Sequence, residues 1–158
     1  MRQADEVEQL SLNDATSHVL EECRTVVPGM QALFGFQLMA VFSSEFKNEL
    51  SPRERALHLT AIVLVTIAIV LVMAPAALHR QTEPRTVSAR FITISSRLLM
   101  ASMAPLAIGI CLDVYLVARA TIGSTSIASA IAIILLGVFL VFWLLLPRVV
   151  RNRESGDL

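Results

Sequence analysis

Residues 26–46 read VVPGMQALFGFQLMAVFSSEF. The stretch is apolar enough to enter a bilayer, yet it holds Pro28, Gly29, Gln31, Gly35, Gln37, Ser43 and Ser44, which a plain anchor would not need. A helix with that content crosses a membrane only among other helices that satisfy its polar groups. The question for the rest of the chain is therefore whether it supplies a bundle.

The composition says that it does. Of 158 residues, 55% are hydrophobic and 16% charged, and the mean hydropathy is +0.68, too apolar for an ordinary soluble domain. Several runs approach the roughly 20 residues that cross a hydrocarbon core and fill most of the length, leaving no room for a separate soluble domain. Lys plus Arg and Asp plus Glu are 13 each, so no global field points to nucleic acid or an acidic ligand. The two cysteines, Cys23 and Cys111, stand far apart outside any metal-ligand or CxxC spacing, and both read as free thiols. The opening MRQADEVEQLSLND is acidic and lacks the basic and apolar regions of a secretory leader, so no cleavage is expected.

Upstream of the central stretch, residues 1–10 have the composition of a flexible N-terminus. From Ser11, with Asp14 three residues on, Ala15, Val19, Cys23 and Val26 recur at helical spacing opposite Ser17, His18, Glu21, Glu22 and Arg24. This predicts a short amphipathic helix over 11–25, able to lie on the membrane surface, pack beneath the bundle or dock a protein partner. Pro28 followed by Gly29 predicts a kink or break before the first span at about 26–46.

Downstream, Ser51, Pro52 and Glu54 place a capping serine, a first-turn proline and a reciprocal carboxylate in order, so a helix begins at Pro52. It carries the clearest span, about 55–80, with Pro75 near its end. A polar connection leads to a third span at about 91–118 containing Arg97, Pro105 and Asp113, and a short link leads to a fourth at about 126–147. A basic-to-polar tail, 148–158, follows with Arg148, Arg151 and Arg153. The expected fold class is an all-α membrane protein: four transmembrane helices, together 26–147, preceded by a short amphipathic helix. Four spans put Arg2, Arg24, Arg80, Arg85, Arg90 and the tail arginines on one side, and that basic excess places both termini in the cytoplasm.

Polar groups inside the spans are the candidate functional residues. A carboxylate at the centre of a membrane helix costs roughly 2.5–3.5 kcal/mol, so Asp113 needs a partner or water. Helical steps back from it collect Gly109, Leu106, Ser102 and Ser95 on one stripe. Asp113 is read either as an ion- or proton-binding carboxylate or as an interfacial acid, since it lies only ~6 Å inside the outer end of its span. His58 is at a matching depth in span two, and a His–Asp pair would titrate in a useful range. Asp113, Ser102, Gln37 and His58 are thus the candidates for an ion or proton path. Gln31 and Gln37 fall on different faces of their helix. Gln31, Arg97, His79, Arg80, Glu21 and Glu22 are read as packing or structural polar groups, Arg97 snorkelling to headgroups, pairing with Glu21 or Glu22, or lining an inner vestibule. Ser126, Ala130 and Gly137 form a small-residue face on span four, suited to close packing within the chain or between copies. No phosphate loop, HExxH motif, nucleophile elbow or metal-ligand cluster is present in the sequence. The chain is therefore not expected to be an enzyme, to need a cofactor or to hold a metal.

The run PGMQALFGFQLMAVF behind Glu21, Glu22 and Arg24, together with MAPAALHR at the end of span two, resembles a family of small bacterial four-span membrane proteins known only as a domain of unknown function. Gln31, Leu33, Phe34, Ala74, Pro75, Ala77, His79 and Arg80 carry the resemblance, which covers the first half of the chain and continues only as hydropathy. Some relatives are labelled sodium/proton antiporters, though this chain is much shorter than the familiar antiporters and lacks their paired intramembrane aspartates. Together these features describe a multi-pass protein of the bacterial inner membrane in contact with the lipid bilayer. The expected function is a homo-oligomeric cation or proton channel or transporter; alternatively, it is a structural or regulatory subunit that binds a protein partner.

Overall fold

The computed structural model describes residues 2–43, 46, 48, 50–82 and 89–145. Among these the chain is entirely helical: α1 (Arg2–Val41), α2 (Pro52–Thr82), α3 (Ala89–Ile122) and α4 (Thr125–Leu140), the last continued by a π-helical turn over Val141–Leu145. Three helices are long and apolar enough to cross a membrane, over Pro52–Gln81, Ala89–Ile122 and Thr125–Trp143. The 40-residue α1 is not one of them, because Gly and Gln dilute its apolar end and the acidic lead-in dilutes the rest. The structure thus supports a membrane protein with three such helices, where the sequence suggests four. Ser44, Lys47, Glu45, Glu49, Arg85, Pro147 and the tail over 148–158 lie outside the described residues.

The lead-in and the first apolar stretch are one helix, not two. α1 starts at Arg2, well before the expected cap at Ser11, and remains helical through Pro28. The burial pattern explains why: Thr16, Cys23, Met30 and Gln37 are the buried positions of α1, each seven residues from the last. A heptad seam of this kind is the signature of a helix packed lengthwise on its neighbours, and it runs through Pro28 without a phase change. Pro28 itself is exposed, so its ring lies off the seam and its one missing N–H bond does not interrupt packing. α1 closes at Val41, where the Phe42 and Ser43 N–H groups donate to the carbonyls of Met39 and Ala40, both at 3.1 Å.

α2 begins where the sequence places it. The Ser51 N–H donates to Glu54 Oε2 at 2.8 Å and the Glu54 N–H to Ser51 Oγ at 3.3 Å, a reciprocal capping box. Its buried residues are His58, Ala61, Val65, Ala68, Val72 and Pro75, alternating steps of three and four. On α3 the buried Ser95, Ser102 and Gly109 confirm the small polar stripe, with Asp113 half-buried at its end. α3 stops at Gly123, whose φ of +76° suits a residue without a Cβ; its N–H donates to the Arg119 carbonyl at 3.0 Å. Ser124 then caps α4, accepting from the Ile127 N–H at 3.5 Å. On α4 the fully buried small residue is Ala128; Ser126 and Ala130 are exposed, and a side chain at Gly137 would meet no atom within 4 Å.

The chain divides into two compact units. Unit 1 comprises Met1–Leu38 and Val65–Pro105; unit 2 comprises Met39–Leu64 and Leu106–Leu158.

Candidate functional site

In unit 2, α2 and α3 bring two pairs of acidic and basic side chains together. His58 Nδ1 lies 3.4 Å from Asp113 Oδ1, with side chains 9% and 18% exposed. This exceeds the roughly 2.7–2.9 Å of a tight charge-assisted hydrogen bond and is a close imidazole–carboxylate contact. Phe46 closes edge-on over the imidazole, ring centroids 5.1 Å apart. One turn before His58, Glu54 Oε1 meets Arg119 Nε at 3.6 Å, and the same guanidinium donates from Nη1 to the Gly123 carbonyl at 2.9 Å. The pairing follows from antiparallel register: moving toward the start of α2 from His58 matches moving toward the end of α3 from Asp113.

A neighbouring imidazole and carboxylate can share, take up and release one proton. Helices of this apolarity around such a pair make its charge state expensive to leave uncompensated. Depth matching in the sequence puts His58 and Asp113 at one level without showing contact; the structure brings them within 3.4 Å. The Glu54–Arg119 pair is the part that sequence reasoning missed, although the same antiparallel count that joins His58 to Asp113 leads to it.

The other two path candidates belong to unit 1. Gln37 and Ser102 are each 4% exposed, and Ser102 Oγ donates to the carbonyl of Leu99 on its own helix at 2.6 Å. Gln31 is exposed while Gln37 is buried, so the two amides do occupy different faces. Arg97, Glu21 and Glu22 are exposed, and among the described residues Arg97 makes no ion pair with either glutamate. His79 packs on Phe91 with centroids 5.6 Å apart and planes at 52°.

Unit 1 also has an open cavity of about 490 Å³ between α1 and the end of α2, lined by Cys23, Arg24, Pro28, His79 and Arg80 among apolar side chains. Burial, and then Glu22, push the Cys23 thiol up, so it stays protonated and is no nucleophile at neutral pH. Among the described residues, no group of three or more His, Cys, Asp and Glu could hold a metal ion.

The profile of a family of unknown function (DUF6328) matches residues 5–147. The chain belongs to that family. The match covers both units, including α1 from its first turns, so the His58–Asp113 pair and the cavity of unit 1 both lie within the family region. No curated protein and no solved structure matches the chain.

Proposed function

We propose that the protein is a multi-pass inner-membrane protein of bacteria, with both termini cytoplasmic, that works as a homo-oligomeric proton or cation channel or transporter, the His58–Asp113 pair being its proton-binding group. The observation that carries this reading is the 3.4 Å imidazole–carboxylate contact on two helices each apolar enough to cross a membrane. A carboxylate there is costly to keep unless its charge is used or balanced. Arginine placement supports the orientation, and the open surroundings of Gly29, Gly35 and Gly137 leave room for close approach of a second copy.

A second reading, a structural or regulatory membrane subunit, is favoured by one specific feature: Ser102 spends its hydroxyl on its own helix and Glu54 is held by Arg119, as groups that only fasten helices would be. Its partner would dock on the exposed polar face of α1.

Flux decides between them. Proteoliposomes with the wild-type protein should acidify or alkalinise with an imposed gradient, and Asp113→Asn, inserted and folded, should lose that flux. Wild-type vesicles as tight as empty liposomes under proton and cation gradients would overturn permeation and leave the subunit reading.

A further inference from the structure

The cavity of unit 1 has an unusual lining for its position. Arg24 from α1 and Arg80 from α2 both border it, with His79 beside them, and no carboxylate lines it. Neither arginine forms an ion pair with a described residue. His79 Nδ1 is buried and has no hydrogen-bond partner among the described residues. Two exposed guanidiniums thus border one space whose lining holds no carboxylate, and guanidinium forks fit the oxygens of phosphate. The volume of about 490 Å³ falls in the range of small-ligand sites, about 300–1,000 Å³.

The rest of the lining says what the anion is attached to. Leu20, Val27, Val72 and Met73 are also in the lining, so the cavity offers apolar surface beside its cationic groups. His79 and Arg80 stand just beyond the apolar run of a helix fit to cross a membrane, the level at which lipid headgroups lie. We propose that this cavity binds the phosphate of an anionic phospholipid, with Arg24 and Arg80 on the phosphate oxygens, the His79 ring bordering the same space, and the glycerol and upper acyl chain against the apolar side chains. The site is separate from the His58–Asp113 pair and does not depend on proton movement there.

The test uses the purified full-length protein in non-ionic detergent and measures equilibrium binding of phosphatidylglycerol against phosphatidylcholine, with inorganic phosphate as competitor. Wild type should prefer phosphatidylglycerol by about tenfold or more, a difference of the size that one lost charged contact produces. Arg24→Gln combined with Arg80→Gln should abolish the preference. Arg24→Lys with Arg80→Lys should keep most of it, and Arg97→Gln, at an exposed arginine outside the cavity, should leave it intact. If the glutamine pair fails to fold, the wild-type preference and its dependence on Arg97 still decide. Equal binding of the two lipids, survival of the preference in the glutamine pair, or equal loss in Arg97→Gln would overturn the proposal. Competition by inorganic phosphate as strong as that of the lipid would overturn its lipid part and leave a free-anion site.

Discussion

His58 and His79 lie on the same face of α2, three heptads apart, and each has an aromatic ring beside it: Phe46 at 5.1 Å and Phe91 at 5.6 Å. Their electrical surroundings are opposite. His58, in unit 2, faces the Asp113 carboxylate; His79, in unit 1, borders a cavity with two arginines, and its Nδ1 is buried with no hydrogen-bond partner among the described residues. The aromatic contacts account for the burial of both imidazoles and do not distinguish them. What distinguishes them is the sign of the neighbouring charge, and the two functions proposed above, a proton at one end of the helix face and an anion at the other, rest on that difference.

The largest expected effect comes from breaking the paired end. Asp113→Ala leaves a buried imidazole without its partner and should lower stability in detergent by about 1–3 kcal/mol, read as a drop in the thermal unfolding midpoint. Replacing both residues with leucine should recover most of that loss, since a buried ionic pair is often no more stable than apolar groups of similar volume. A double variant as unstable as Asp113→Ala would mean that the loss comes from packing and not from charge.

Ser51→Ala sharpens the comparison by removing the capping box that positions the paired end while leaving His58 and Asp113 in place. A loss of about 0.5–2 kcal/mol is expected, and the backbone amide of Glu54 should lose protection in hydrogen exchange. No change in either would show that Glu54 is held by Arg119 alone.

The smallest effect is expected at the unpaired end. His79→Leu removes a buried nitrogen with no hydrogen-bond partner among the described residues, so stability in lipid-free detergent should stay within about 0.5 kcal/mol of wild type or rise. A loss as large as that of Asp113→Ala would place a protein partner on His79 and erase the contrast between the two histidines.

How much of this was legible in the sequence depended on whether a local rule or a long-range pairing was at work. The start of α2 is local chemistry, and Ser51, Pro52 and Glu54 state it in four residues. The α3 stripe is helical arithmetic, and Ser95, Ser102 and Gly109 are buried as counted. His58 and Asp113 could be matched in depth because each lies a similar distance into an apolar run. The continuity of α1 was not legible, because Pro28 and Gly29 read as a break and the heptad of Thr16, Cys23, Met30 and Gln37 mixes polar with apolar residues, so no hydropathy pattern reveals it. The cationic cavity was hidden for a related reason: Arg24 and Arg80 each look like a solvated or interfacial charge until their two helices are brought side by side.

The central claim is that His58 and Asp113 act as one unit, and a double-mutant cycle on His58→Leu and Asp113→Leu, read by unfolding of the full-length protein in mild detergent, tests it most directly. The account predicts a coupling of about 1 kcal/mol or more between the two positions, within the range for contacting residues. Additivity within about 0.3 kcal/mol, as for distant and independent sites, would contradict it and remove the basis for a shared proton.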